Sequence, residues 1–419
     1  MRTVLYFLLA TLAAMPLFAQ DDVEARLRKL ETEVETLKQE NVQLRKDLGL
    51  QAENTKQDET QLRKDLGTEV VARQADVKRA GTAALQFGGL IQAQSEAGDK
   101  GDSRFNDGNT RFFLRRARVN ASGKFVEDFS FRIEMDLAGS LSNTSAYRAQ
   151  MTDGYINWGR FKAANVRVGQ FKTPFGFEQL YADPRLSTAE RSLVSDRLTI
   201  SRQIGVQLSG AALDDRLNYA AGVFNGSGIN QNFNDNDKLM GVARVGFVPF
   251  DGRLFGNAAK IAVGANAFRD TDTALSVPSD FGIDSTPATS AKDNIFTGRR
   301  RGIGYDAQAE IGRAEVWGEY LRDTFEPASH LPAGKFSSDG WYAQATYYLI
   351  PGKLQLAERF ETFDPSDVTA HDATRSTVSG VNWYLKGHDL KLQFDWMRSN
   401  VPGLSKTQQK VIARVQTAF

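Results

Sequence analysis

The chain has 419 residues, no cysteine and a formal net charge of +1, from 52 basic and 51 acidic side chains. The lack of cysteine excludes disulfides and thiolate metal sites, and the balanced charge predicts no nucleic-acid partner. The mean hydropathy of -0.40 excludes a bundle of membrane-spanning helices. A membrane-spanning barrel stays open, because only every second residue of its strands must be apolar.

Residues 1–19 carry the pattern of a secretory signal peptide. Arg2 precedes an apolar run from Val4 to Leu12, and Ala19 offers a small residue for cleavage. The apolar run is shorter than the roughly 20 residues that a spanning helix needs. We therefore expect an exported protein.

Residues 20–50 carry a heptad pattern. Its a and d positions include Leu27, Leu30, Val34, Leu37, Asn41 and Leu44. Opposite charges such as Glu33 and Lys38 would face each other between parallel chains, so the pattern predicts a parallel coiled coil and an oligomer. Asn41 alone favours a dimer, and a lone amphipathic helix packed on its own protein is the alternative.

The coiled coil could continue to residue 66, because the heptapeptide at 43–49, QLRKDLG, recurs at 61–67. Residues 67–83 are charged and weakly patterned, and we interpret them as a linker. The three histidines, His330, His371 and His388, lie in segments rich in turn residues and are interpreted as solvated loop residues. No metal site and no cofactor are therefore expected.

Residues 84–419 can be divided into sixteen strand candidates. They are 84–94, 110–122, 128–138, 147–158, 165–172, 202–211, 216–224, 239–249, 259–269, 303–313, 314–323, 339–349, 353–362, 375–386, 389–398 and 408–419. Connections after odd strands are long and polar, whereas those after even strands are short. An even strand number with sorted connections predicts an antiparallel outer-membrane barrel. A soluble sheet also alternates apolar and polar residues, but it has no reason to sort its loops.

The third candidate strand shows the two faces of such a barrel. Phe129, Ile133 and Met135 share one parity, and Arg132 and Glu134 share the other. We expect the first set to face lipid and the second to face water, because unpaired charges are too costly in a dry core. A barrel of sixteen strands is wide enough to enclose a water-filled channel.

The barrel segment resembles the phosphate-selective porins O and P of Gram-negative outer membranes. The resemblance is carried by FLRRARV at 113–119, VGQFKTPFGF at 168–177, TAERSL at 188–193, VFNGSG at 223–228 and GVNWYL at 380–385. It implies a homotrimer in outer-membrane lipid and lipopolysaccharide, with the third loop folded into the pore and the coiled coil in the periplasm. It also implies that the C-terminal Phe419 is read by the barrel-assembly machinery.

Basic residues are the candidates for an anion-binding constriction. They are Arg116, Arg118 and Arg132 on the second and third strands, Lys172 and Arg202 at the ends of the connection 173–201, and Arg185, Arg191 and Arg197 within it. An arginine presents a planar fork of donors that suits phosphate oxygens. Pairing of the loop arginines with Asp183, Glu190 and Asp196 is the alternative. Arg115 shares the parity of Phe113 and is expected on the lipid side.

These features predict a passive channel for small anions. Phosphate or polyphosphate as the solute follows from the resemblance alone, because the expected lumen also carries Glu134 and Asp136. A general porin and a coiled-coil tether anchored by a barrel are the alternatives. An enzyme is not expected, because no serine and histidine occur in a recognisable catalytic context.

Overall fold

The computed structural model describes residues 26–47, 49, 84–105, 110–139, 147–282, 294–328 and 334–419. The predicted signal peptide, the linker and the extension of the coiled coil to residue 66 lie outside these residues. The chain divides into two units, Met1–Ala80 and Gly81–Phe419.

The first unit contains one described helix, α1, at residues 26–47. Five apolar side chains of the heptad positions are between 42% and 60% exposed, namely Leu27, Leu30, Val34, Leu37 and Leu44. The helix itself was predicted, whereas its pairing with other copies stays a prediction. Among the described helices, none is long and apolar enough to cross a membrane.

The second unit is a closed antiparallel barrel of sixteen strands. The strands are β1 Ala84–Gly98, β2 Arg111–Val126, β3 Phe129–Gly139, β4 Arg148–Phe161, β5 Ala164–Lys172, β6 Arg202–Ala212, β7 Leu217–Phe224, β8 Met240–Leu254, β9 Asn257–Ser276, β10 Ile295–Ile311, β11 Ala314–Pro327, β12 Phe336–Ile350, β13 Leu354–Asp364, β14 Thr374–Lys386, β15 Leu390–Asn400 and β16 Gln408–Ala418. Each pairs with its neighbours in sequence, and β1 pairs with β16. The predicted strand number and barrel are confirmed.

The barrel closes at the chain terminus. The backbone N–H of Gly89 donates to the carbonyl of Phe419 at 2.8 Å, and the Phe419 N–H donates to the Gly89 carbonyl at 3.1 Å. These bonds continue the ladder between β1 and β16 to the last residue. The Phe419 side chain stays 74% exposed.

The connections are sorted between the two ends of the barrel, as predicted. Short turns follow β2, β4, β6, β8, β10, β12 and β14, and they form what we call the turn rim. The longer connections form the loop rim. Strands β9 and β10 extend beyond their predicted ends, because their ladder continues past a bulge to the pair of Ile295 and Ser276.

Side chains alternate between the outer and inner faces of the wall. On β3, Ile133 is 51% exposed on the outside, whereas its neighbour Glu134 is 6% exposed on the inside. This confirms the orientation predicted from the alternation. The apolar outer face is suited to contact with lipid, and the polar inner face is suited to contact with water.

The interior also contains an apolar cluster, which the alternation did not predict. Inward-facing phenylalanines of β7 to β13 pack against the connection 173–201 and against residues 277–282, and they include Phe224, Phe268, Phe296, Phe325, Phe336 and Phe363. The rings of Phe325 and Phe336 stack with their centroids 4.7 Å apart. Part of the interior is therefore a dry core, because the connections cover these rings from water.

Candidate functional site

The connection between β5 and β6, residues 173–201, lies inside the barrel, and we call it the inner loop. Its ends are held together where Lys172 pairs with Arg202 in the ladder and the Thr173 hydroxyl donates to the Ile200 carbonyl at 2.6 Å. It contains two short helices, α2 at Phe177–Leu180 and α3 at Leu193–Leu198. Gly176 precedes α2 with a φ of 82°, a conformation that favours glycine.

Carboxylates of the barrel wall bind the backbone of the inner loop. Glu319 accepts hydrogen bonds from the backbone N–H groups of Phe177 at 2.5 Å and Glu178 at 3.2 Å. Glu361 accepts from the N–H of Leu193 at 3.0 Å. Asp395 accepts from the N–H of Ala189 at 2.6 Å. A buried backbone N–H needs a hydrogen-bond acceptor, and these side chains supply one. These contacts fix the inner loop against β11, β13 and β15.

Arg359 on β13 binds the same loop from the wall. Its side chain is 1% exposed, and its guanidinium donates to the Thr188 hydroxyl at 2.7 Å and to the Glu190 carbonyl at 2.9 Å. It also forms an ion pair with Glu361 at 3.2 Å. A buried arginine with these partners holds the loop in one position.

Asp183 of the inner loop gathers three guanidinium groups. Its carboxylate lies 3.1 Å from Arg116, 2.5 Å from Arg118 and 2.6 Å from Arg191. Burial raises the pKa of Asp183, but these guanidinium groups outweigh burial and hold its pKa well below the ordinary value. Arg118 also pairs with Asp136 at 2.9 Å, so two carboxylates face three guanidinium groups at this centre.

Glu190 forms a second centre with Arg115 at 2.8 Å and Arg414 at 2.5 Å. Burial raises its pKa, and the two guanidinium groups lower it to a value below the ordinary range. The prediction that Arg115 faces lipid is wrong. Gln92 pairs with Arg116 and Ala93 with Leu114, so Arg115 is the extra residue of a β-bulge and turns inward.

Asp153 on β4 joins two further predicted residues. It lies 2.7 Å from Arg202 and 3.6 Å from Arg132, and Arg132 also contacts Glu134 at 2.5 Å. Lys172 donates to the inner-loop carbonyls of Gln179 at 2.6 Å and Tyr181 at 3.3 Å. The structure therefore brings six predicted residues to one region of the interior, Arg116, Arg118, Arg132, Lys172, Arg191 and Arg202.

Two predicted residues lie apart from this region. Arg197 pairs with Asp280 at 2.8 Å and with Asp196, towards the loop rim. Arg185 is exposed and has no ion pair with a described residue. Its neighbour Pro184 accepts from Gln416 at 3.1 Å and contacts His388 of a short turn at 3.2 Å, so this part of the inner loop reaches the turn rim.

The consecutive arginines 299–301 of β10 point alternately to the outer and inner faces of the barrel. Arg299 and Arg301 are exposed near the loop rim and pair with Glu326. Arg300 turns inward and lies 3.0 Å from Asp272 and 3.8 Å from both Asp270 and Asp323. Only the outer two therefore form a solvated cluster.

Sequence reasoning did not name several inward-facing arginines as site candidates, such as Arg359 and Arg414. Two others are Arg167 on β5 and Arg244 on β8. They line two adjoining cavities of about 270 Å³ each, between the inner loop and the walls of β4 to β10. We call these two cavities the lumen chamber. Strand parity could have found both residues, because Arg167 alternates with the outward Val166 and Val168, and Arg244 with Val245.

The arrangement is that of a channel with a built-in constriction. A closed membrane-type barrel surrounds an inner loop that the wall fixes in place, and guanidinium groups concentrate around the loop. These features define an outer-membrane porin. The sequence pattern of the family described as Phosphate-selective porin O and P matches residues 85–403, so the chain belongs to this family and the resemblance is confirmed.

Solved porin structures share the fold. An anion-selective porin from Comamonas acidovorans superposes with a TM-score of 0.58 at 12% identity, covering 81% of this chain and 100% of that one. The trimer form of OmpT from Vibrio cholerae gives 0.53 at 10% identity, covering 81% and 100%. The channel DcaP of Acinetobacter baumannii gives 0.52 at 13% identity, covering 80% and 97%. No individual curated protein matches the chain.

Proposed function

We propose that the chain forms a passive diffusion channel for small anions across the outer membrane of a Gram-negative bacterium. The observation that carries this proposal is the meeting of Arg116, Arg118 and Arg191 on the single carboxylate of Asp183. Arg118 also pairs with Asp136 at 2.9 Å. The six basic residues of this region still outnumber the four carboxylates that pair with them, Glu134, Asp136, Asp153 and Asp183, and the surplus positive charge raises the local concentration of anions. No catalytic step is part of the proposal.

Phosphate or polyphosphate is the solute class that the family membership supports. The proposed anion-binding residues are the six that the structure brings together, with Arg185 towards the turn rim and Arg197 towards the loop rim. A guanidinium binds two phosphate oxygens through its planar fork. The name of the Comamonas acidovorans structure, an anion-selective porin, agrees with an anion as solute.

We propose a homotrimer with α1 in the periplasm as part of a parallel coiled coil. The exposed apolar stripe of α1 supports the pairing, because a parallel coiled coil would bury these side chains. The trimer form of Vibrio cholerae OmpT supports the stoichiometry. Outer-membrane lipid, lipopolysaccharide at the loop rim and the barrel-assembly machinery at Phe419 complete the proposed partners.

Two other functions were predicted as alternatives. A tether would need the barrel only as an anchor. A tether function therefore does not explain why the barrel wall holds a charged loop in the interior. A general porin would have the same barrel without a preference for phosphate. The carboxylates of Glu134 and Asp153 beside Arg132 favour this second function. The two channel functions differ in how phosphate affects the current.

Conductance in planar lipid bilayers tests the proposal. The purified full chain in a KCl gradient should give a zero-current potential of the sign set by chloride permeation, and phosphate should reduce the chloride current. Anion selectivity without an effect of phosphate would leave the general porin. A protein that folds and inserts but conducts no ions would support the tether.

A further inference from the structure

The lumen chamber contains one guanidinium group that is not neutralised. Arg167 forms no ion pair with a described residue, and its Nε is buried without a hydrogen-bond partner. Its guanidinium lies over the ring of Tyr155 at 4.4 Å and that of Phe171 at 5.4 Å from the centroids. These rings contact the positive charge without supplying a hydrogen-bond acceptor, so the terminal N–H groups of Arg167 can donate to a ligand.

The other charged groups of the chamber are already engaged. Asp306 holds Arg244 through both oxygens, at 2.7 and 2.8 Å, and the carboxylate of Asp153 pairs with Arg202 and Arg132. Lys172, which lines the same cavity as Arg167, donates to the inner-loop carbonyls of Gln179 and Tyr181 at 2.6 and 3.3 Å. Arg167 is therefore the residue here with donors to offer an incoming carboxylate, which accepts two parallel hydrogen bonds from an arginine fork.

The inner loop presents an apolar surface to the same chamber. Leu180 is 36% exposed and lines the cavity that contains Arg167, together with Pro174. Phe177 lines the adjoining cavity, and Arg244 and Ala220 are shared by both. Covering exposed apolar side chains with an apolar group of a ligand lowers the free energy of the complex.

This combination suits one class of anion better than phosphate. Leu180 and Phe177 offer a bound anion apolar contact and no hydrogen bonds, and a phosphate ion has no apolar part to place against them. We propose that the lumen chamber is a binding site for organic carboxylates with an apolar or aromatic body, whose carboxylate binds Arg167 while the body packs on Leu180 and Phe177. This inference rests on the proposed anion channel and names a solute class for it.

Block of the chloride current by added carboxylates tests the inference in planar bilayers. With the full chain, benzoate should block at a concentration about tenfold lower than acetate, because its ring covers apolar surface. Leu180→Asn, which changes an exposed side chain of similar size, should remove most of this difference. Arg167→Gln should weaken the block by both anions.

Two control variants keep the test specific. Leu404→Ala changes an exposed leucine of the β15–β16 connection, and Arg299→Gln removes an exposed rim guanidinium; neither should alter the block by benzoate. Heat-modifiable mobility in electrophoresis shows that each variant has folded.

The outcomes separate this inference from the proposed function. Equal block by benzoate and acetate in an anion-selective channel would overturn the inference and leave the channel function intact. A stronger block by benzoate that survives both Leu180→Asn and Arg167→Gln would place the carboxylate elsewhere and overturn it too. A cation-selective wild-type channel would contradict both.

Discussion

At the scale of single residues, Asp183 connects the inner loop to the wall. Its carboxylate binds Arg191 of the same loop and Arg116 and Arg118 of β2, and its side chain is 4% exposed. Removing one partner of a buried ion pair lowers the stability of the fold by more than the intact pair contributes, because the remaining charges stay buried without a counter-charge. Asp183 is therefore expected to govern both stability and selectivity.

Asp183→Asn should lower the free energy of unfolding by about 3–5 kcal/mol. It should also move the zero-current potential further towards anion selectivity, because three guanidinium groups lose their shared counter-charge. Denaturant unfolding in detergent measures the first effect. Asp237→Asn, at an exposed position of the β7–β8 connection, is the matched control and should change neither quantity. A stability equal to wild type in Asp183→Asn would contradict the assigned role.

The same ion pairs predict a dependence on pH. The pKa of Asp183 lies well below its ordinary value, because the guanidinium groups outweigh the effect of burial. A carboxyl with a lowered pKa contributes stability above its unfolded pKa of about 4, and this contribution is lost as pH falls through the folded pKa. The difference in unfolding free energy between wild type and Asp183→Asn should therefore stay constant from about pH 8 to about pH 5 and shrink at lower pH. A difference that shrinks near neutral pH would contradict this.

Sequence reasoning found six of the basic residues that meet in the interior, and its alternative pairing of the loop arginines with Asp183 is confirmed for Arg191. It did not find the partners that lie on distant strands. The alternation places Arg116 and Arg118 on the inner face of β2, which the structure bears out. A one-residue bulge reverses the face of Arg115, and no local sequence signal marks the bulge. The hydrogen bond from the Ala189 N–H to the Asp395 side chain joins residues 206 positions apart in the sequence. The local sequence around either residue therefore does not reveal it.

At the scale of elements, the strands were the easiest to predict. An apolar and polar alternation over β3 reflects a wall between lipid and a polar interior, and the period of two is local to the strand. The inward phenylalanines of β7 to β13 escaped this reasoning, because a ring covered by the inner loop has the same sequence pattern as one that faces lipid. The alternation alone therefore cannot tell a dry interior from a wet one.

The orientation of β3 gives a direct prediction. Ile133→Arg should destabilise the barrel by about 2–4 kcal/mol if the residue lies near the bilayer midplane, because the charge would face lipid. The neighbouring change Glu134→Gln should fold and increase anion selectivity, since it removes an inward negative charge beside Arg132. Unfolding in detergent micelles and zero-current potentials measure the two effects. Normal folding of Ile133→Arg with loss of folding in Glu134→Gln would show that β3 is oriented the other way.

At the scale of the whole molecule, the two units should be separable. Every barrel strand lies beyond residue 83, so removal of residues 21–82 behind the intact signal should leave a detergent-soluble barrel whose electrophoretic mobility changes on heating. A truncated protein that fails to fold would show that the first unit is needed for the barrel.

The contribution of α1 to the oligomer can be tested by changing its apolar stripe. Leu30→Glu with Leu37→Glu should lower the temperature at which the oligomer dissociates in detergent, because unpaired charges would enter the helix interface. Lys29→Glu with Lys46→Glu adds charge outside the a, d, e and g positions of the heptads and serves as the control. An equally heat-resistant oligomer in the leucine variant would assign the association to the barrel walls.

The central claim is that guanidinium groups around the inner loop make the channel select anions. The most direct test compares zero-current potentials in a KCl gradient for wild type, Arg191→Gln and Arg299→Gln. Wild type should be anion-selective, Arg191→Gln should shift towards cations, and the rim variant Arg299→Gln should match wild type, since salt screens an exposed charge more than a charge in a narrow passage. A cation-selective wild type, or an equal shift in both variants, would contradict the claim.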